Sequence, residues 1–381
     1  MDELTPTARW TITQPWRGIF GLVVTLGVML IVTSIFDIKG YLGLFTTFIM
    51  CNVTVVAVVG AGWQGQYPST EGLSQPGRGF LLTAFVVVIG ILCALGLVNY
   101  FAGGAATPFI QVQAINTVIT TFFLVIALGM WPFQKLSLPG KGFLVLICAY
   151  IIGWLITKLL FNFSMLSYPQ GINPSPIAPV PFYAKGGPLA AFADIAPMGL
   201  FAWESALLFY FCLITFLFCF VALQFWPFSK SPSLMKQPVM GIVVIITCLV
   251  LSAILYFIGV GVLKIAPLRY LLYLVSFLFG LLMFLFMFQM WPGRAIKNPA
   301  GCGFLTIGLA IIIGIIAYHL LLAFCTTHFG AEAMKRYPTD VFATANLMLG
   351  LVFPSWAMYA VAWDFWPLPP TPPPPDSPSP E

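Results

Sequence analysis

Ten stretches of about twenty residues in this chain are almost unbroken Leu, Ile, Val, Phe, Ala and Gly, and the longest segment between them has about 42 residues. At about 1.5 Å of helix per residue, each stretch can cross a hydrocarbon core of about 30 Å. Only 7% of the 381 residues are charged and 60% are hydrophobic, whereas soluble domains run near about 25% charged. A chain this apolar cannot cover itself with polar surface, so lipid must be its solvent. Membrane strands would alternate apolar and polar side chains. These runs do not alternate, so they are helices. The sequence predicts an all-α polytopic membrane protein with spans at 18–37, 41–63, 79–100, 109–131, 142–161, 204–226, 241–260, 268–291, 303–325 and 342–366.

The ends of the spans repeat. A Pro and a Gly open each odd helix, in Pro15-Trp16-Arg17-Gly18, Pro76-Gly77-Arg78-Gly79, Pro139-Gly140-Lys141-Gly142, Pro238-Val239-Met240-Gly241 and Pro299-Ala300-Gly301-Cys302-Gly303. A Trp closes each even helix, at Trp63, Trp131, Trp226, Trp291 and Trp366, and the last four are followed by Pro. Pro is tolerated in a first helical turn and cannot continue a finished helix, and Trp favours the headgroup level. The pattern predicts five tandem helical-hairpin repeats, all with one orientation. As interfacial stops and starts these loops need no further role.

The repeat also serves as a ruler. Eleven residues after the opening glycines come Met29, Gly90, Gly153, Ser252 and Gly314; eleven before the closing Trp come Asn52, Thr120, Thr215, Gly280 and Ser355. Eleven residues are about 16 Å of helix, so both columns are expected near the bilayer midplane. Small residues there let helices approach closely and bond across the contact. The same layer, read differently, lines a path for a small polar solute.

Five segments follow: an N-terminal stretch 1–17, helices one to five over 18–161, a Pro-rich loop 162–203, helices six to ten over 204–366, and a Pro-rich tail 367–381. The apolar half of the loop, Gly186 to Trp203, suits a short interfacial or re-entrant helix. The tail suits extended, disordered polyproline. Tail and loop are the candidate surfaces for a protein partner; the bilayer is the other partner. The first span resembles a signal peptide, but it is too long and Asp37-Ile38-Lys39 offers no small-residue cleavage site. Nine Lys/Arg lie on the Trp-loop side and seven on the other, a slight positive-inside bias. That places both termini in the cytoplasm and the chain in the cytoplasmic (inner) membrane. The formal charge of +5 is spread over interface loops. It suits anionic headgroups and not a nucleic-acid partner.

Several chemistries are disfavoured. The eight cysteines include no CxxC and no metal spacing. The two histidines, His319 and His328, sit nine residues apart near one membrane face, which does not suit a bis-histidine haem held between two helices. There is no P-loop, GxSxG or HExxH. No cofactor, metal or enzymatic activity is expected.

Polar residues at membrane depth remain, and they are costly enough there to mark function. Helix four is the most polar, with Gln113, Asn116 and Thr120 on one face. Asn52, Asn116, Thr120, Asn346 and Ser355 form the candidate substrate site, His319 and Glu204 the candidate proton-coupling or gating groups. Gly350 and Pro354 mark a helix break, since the proline leaves the carbonyl at Gly350 unbonded. The expected function is a secondary transporter or facilitator moving a small polar solute through a midplane site. The alternative is a non-transporting integral subunit or scaffold.

Overall fold

In the computed structural model the described residues are 13–165, 183, 185–187, 189–336 and 338–369. Ten helices are long and apolar enough to span a membrane: α1 (Trp16–Ser34), α2 (Ile38–Gly62), α3 (Gly77–Phe101), α4 (Pro108–Ala127), α5 (Leu138–Leu160), α6 (Trp203–Ala222), α7 (Val239–Val262), α8 (Pro267–Phe286), α9 (Pro299–Phe329) and α10 (Thr339–Val361). The chain is an all-α multi-pass membrane protein. Most ends agree with the apolar runs to within a few residues. The largest differences are at the second ends: α9 runs four residues on to Phe329, while α4, α6, α8 and α10 stop four or five residues before Trp131, Trp226, Trp291 and Trp366, which lie in the turns beyond.

The helices form two concentric rings. The even helices are 67–78% buried and the odd helices 22–33%. α2, α4, α6, α8 and α10 pack in that order, and α10 returns to α2. Outside them, α3 packs on α2, α5 on α4, α7 on α6, α9 on α8 and α1 on α10. The odd helices are also the more apolar as a group, apart from α1. Lipid therefore meets mainly the outer ring, and the inner ring packs mostly against protein.

The opening glycines show how the rings lock. Each faces the end of an inner helix earlier in the ring: Gly79 meets Trp363, Gly142 meets Trp63, Gly241 meets Leu128, Gly303 meets Leu223 and Gly18 meets Phe288. A methyl at any of them would overlap those atoms, so each odd helix can nestle against the inner ring only with a bare backbone there. The residue before the proline supplies the polar contact. Gln14, Gln75 and Gln237 each donate an amide N–H to an inner carbonyl, at Met287 (2.9 Å), Ala362 (2.7 Å) and Ala127 (2.8 Å). In the α5 sector the roles reverse, and the indole of Trp63 donates to the Leu138 carbonyl at 2.7 Å. Trp63 is accordingly buried, while Trp131, Trp291 and Trp366 are exposed as interfacial indoles.

The ring closes through a buried cation. Arg17 opens α1 and is 2% exposed. It donates to the carbonyls of Pro369 and Asp364, meets the Asp364 carboxylate at 3.4 Å and lies over the Phe365 ring. First and last helices are thereby fastened together.

Two local features depart from the sequence expectations. Within Gly186 to Trp203 the described residues form no interfacial helix, only a 3₁₀ turn at Ala190–Phe192. The loop is instead stitched by a two-residue parallel pair, β1 (Phe161–Asn162) with β2 (Phe201–Ala202). At Gly350 and Pro354 the helix does not unwind: it widens into a π-helical stretch, Asn346–Val352, and resumes at Phe353. An added residue in the turn absorbs the missing hydrogen bond. The interruption among the inner helices lies at Gly43 of α2, whose ψ of −130° is non-helical. Gln111 of α4 donates to the freed carbonyls of Leu42 and Gly43, as a backbone in lipid requires. The tail beyond residue 369 and residues 1–12 lie outside the described residues.

Candidate functional site

The five inner helices enclose an axial cavity of about 60 Å³, room for a few waters or one small solute. Met50 and Val53 come from α2, Ile115 and Ile119 from α4, Leu207 and Ile214 from α6, Leu271 and Leu278 from α8, and Ala345, Asn346 and Leu349 from α10. Asn346 is the one polar side chain in that lining. Its amide donates to the Thr46 hydroxyl at 3.1 Å, which itself donates to the Tyr41 carbonyl.

Towards the Trp-loop face the cavity ends on a plug of phenylalanines. Phe122 of α4, Phe218 of α6 and Phe353 of α10 form a triangle with ring centroids 5.1, 6.0 and 6.5 Å apart, and Phe286 of α8 stands 5.5 Å from Phe353. Four inner helices thus each contribute one ring. Beneath the plug lies a vestibule of about 530 Å³, lined by Ala61, Ile126, Val221, Leu285, Gln289 and Arg294. Phe218 lines the cavity and the vestibule, and Phe286 the vestibule. One layer of aromatic rings is what separates the two spaces.

The opposite end is roofed by a second aromatic group. Phe163 and Trp203 stack at 5.7 Å, Trp203 stacks on Phe342 at 6.0 Å, and Phe342 lines the cavity. Tyr183 from the long loop packs edge-on against Phe109 and Phe163 and accepts the Phe109 N–H at 3.2 Å. Burial pushes the Tyr183 phenol up to about 12 despite that hydrogen bond. Beside this roof, at the heads of α8 and α10, Arg269 and Asp340 pair at 3.0 Å.

The polar residues expected to converge on a midplane site do not gather around one cavity. Asn116 donates to Thr157 of α5 at 2.8 Å, and Thr157 to the Gly153 carbonyl. With its amide nitrogen turned towards acceptors, Gln113 donates to the same Thr157 hydroxyl (2.7 Å) and to the Gly153 carbonyl (3.1 Å). The polar face of α4 therefore lies against α5, and its axial side is apolar. Thr120 bonds back to the Asn116 carbonyl and touches the Tyr210 hydroxyl. Asn52 bonds to the Phe48 carbonyl and faces Gly90 of α3. Ser355 bonds to Val352. Only Asn346 reaches the axis.

The midplane glycines fall in the same seams: Gly153 against Thr117, Gly314 against Ser276 and Phe277, Gly280 against Ala310. Of the titratable candidates, Glu204 is wholly buried at the start of α6. His319 is exposed on α9, where with Thr215, Ser276 and Tyr318 it borders a groove of about 620 Å³ on the outer surface. Neither lines the axial cavity.

Cations outnumber carboxylates on both faces. Among the described residues the Trp-loop face carries Arg17, Arg78, Lys135, Lys141, Lys230, Lys236, Arg294 and Lys297 against Glu71 and Asp364. The opposite face carries Lys39, Lys158, Lys185, Lys264, Arg269, Lys335 and Arg336 against Asp37, Asp194, Glu204, Glu332 and Asp340. The phenylalanine cluster and the glutamines before the prolines are structural features that neither the opening Pro and Gly nor the closing Trp of the repeat marks as special. Gln-Pro at 14–15, 75–76 and 237–238 was a visible signal for the second. No family model matches the chain, and no curated protein or solved structure is significantly similar to it.

Proposed function

We propose that the chain is a membrane facilitator whose path runs along the axis of the inner ring and is closed by Phe122, Phe218, Phe353 and Phe286. The observation that carries this reading is the pair of spaces, cavity and vestibule, on either side of one aromatic layer. An apolar constriction holds a path shut because water leaves it, and small displacements of the rings let water return. The π-helical stretch Asn346–Val352 immediately precedes Phe353, and such stretches often accompany functional sites. Asn346 is the polar group that a solute in the cavity would meet.

The ring itself is read as five tandem hairpins, each hairpin leaving an outer helix for its neighbours to hold. The recurrence of the opening-glycine contact in all five sectors supports that reading. The cytoplasmic membrane, with the Trp loops and both termini inside, is supported by the slight excess of Lys and Arg on the Trp-loop face, nine against seven on the other. A scaffold role for the chain, with tail or long loop holding a protein partner, is the second reading. It is favoured by the way most of the midplane polar groups are spent on helix contacts.

The purified protein in liposomes tests the first reading. Phe353→Ala, and Phe218→Ala beside it, are expected to raise solute flux well above the parent protein. Well-folded variants that stay as tight as empty liposomes to every solute tried would leave the scaffold role.

A further inference from the structure

We propose that the solute of the axial path is a small, weakly hydrated, monovalent anion, admitted from the Trp-loop face through an anion-attracting vestibule centred on Arg294. The inference rests on the facilitator reading and adds the class of solute to it.

Arg294 lines the vestibule below the plug, and it is exposed. The ion pairs among the described residues are Arg17 with Asp364, Arg269 with Asp340 and Lys335 with Glu332. Arg294 has no carboxylate among its partners there. Gln289 also lines it, and among the described residues no acidic side chain lines the vestibule or the cavity. The field of the guanidinium is therefore not cancelled locally. The surrounding face adds to it, with nine cations against six carboxylates when both termini are counted on that face. A cleft walled by low-dielectric side chains and lined by one sign of charge focuses its field and concentrates the opposite ion. At the other end of the path the guanidinium of Arg269 is neutralised by Asp340.

Beyond the vestibule the walls are Leu, Ile, Val and Phe, with Asn346 alone to offer hydrogen bonds. An ion entering must leave most of its water, at a cost that rises steeply with charge and with tightness of hydration. Sulfate and phosphate are excluded on that ground. Nitrate should pass more readily than chloride. A cation is disfavoured twice, by the vestibule field and by the absence of a carboxylate among the described residues of the lining.

The test is ion selectivity of the full-length protein in planar bilayers, with the path opened by Phe353→Ala. Under a potassium chloride gradient the reversal potential is expected near the chloride equilibrium potential. Conductance is expected to fall from nitrate to chloride, with sulfate not measurable. In the same background Arg294→Glu should lower chloride conductance about tenfold, the low end of what a focused charge does to local ion concentration; Arg294→Lys should retain most of it. A reversal potential near that of potassium, or an Arg294→Glu channel as anion-selective as its parent, overturns the proposal. So does a Phe353→Ala protein that passes glycerol in liposomes but no ions, which leaves the axial path standing. A folded Phe353→Ala protein that passes neither glycerol nor ions removes the path and this inference together.

Discussion

The inner helices carry two chemistries back to back, and α4 displays the contrast most clearly. On the side towards α5 it holds Gln113, Asn116 and Thr117, bonded or packed against Thr157 and Gly153. On the side towards the axis it holds Ile115, Ile119 and Phe122. α8 repeats the division, with Ser276 and Gly280 against α9 and with Leu271, Leu278 and Leu282 on the axis. In hydrocarbon an unsatisfied polar group costs several kcal/mol by the usual range of about 2–7, so polar side chains go to the nearest partner, a carbonyl one turn back on their own helix or a group on the neighbouring helix. Polarity at membrane depth therefore locates the seams of this molecule. The space lies on the other side, where large apolar side chains from five directions fail to fill the centre.

If the seams are closed contacts, the largest effect should come from filling one. A side chain at Gly314 would meet the Ser276 carbonyl oxygen at 2.7 Å and the Phe277 Cα at 3.0 Å, both backbone atoms that cannot swing aside. Gly314→Leu is expected to cost about 3 kcal/mol, the upper range for overpacking. Thermal unfolding in detergent would register this as a large fall in melting temperature, and an unchanged melting temperature would mean that α8 and α9 do not meet as described. Asn116→Leu should be milder. It removes one interhelical hydrogen bond to Thr157, worth about 1 kcal/mol within a membrane. Solute flux through the reconstituted protein should stay at the parent's level. A change in flux with little change in stability would move function from the axis to the seam.

The smallest effect concerns the roof. Tyr183 is neutral in the folded protein, its phenol held up to about 12 by burial, against about 10 in an unfolded chain. A raised folded value contributes stability that is complete below about pH 10 and is lost as pH rises through about 12. Amide exchange at Phe109, whose N–H bonds to the Tyr183 oxygen, should therefore speed up between these limits beyond the ordinary base-catalysed increase. Tyr183→Phe should abolish that extra step.

Much of the architecture was legible in the sequence, for one physical reason. A span must be apolar for about twenty residues whatever it packs against, so ten runs announce ten helices. The opening glycines were legible as marks, and they proved to be points where one helix bears on another. The eleven-residue rulers led to Asn52 and to Gly90, Gly153, Gly280 and Gly314, which do lie where inner and outer helices touch. The plug was not legible. Phe122, Phe218, Phe286 and Phe353 stand 9, 8, 5 and 13 residues before their closing tryptophans, so no column of the repeat contains them. A phenylalanine facing the axis is also the same residue as the many that face lipid. Nor did the alternation of inner and outer helices show itself: mean hydropathy separates α3 at 2.9 from α10 at 1.5 but leaves α2 at 2.2 beside α5 at 2.3.

Water access decides between axis and seam most directly. In a background without the eight native cysteines, one cysteine would be placed below the plug at Val221, one above it at Leu278 and one in the α4–α5 seam at Thr117. Each would be challenged from the Trp-loop face with a membrane-impermeant thiol reagent. The axial account predicts labelling at Val221→Cys. At Leu278→Cys it predicts protection in the parent and labelling once Phe353→Ala is added, and at Thr117→Cys protection throughout. Labelling of Thr117→Cys while Leu278→Cys stays protected in the Phe353→Ala background would contradict it.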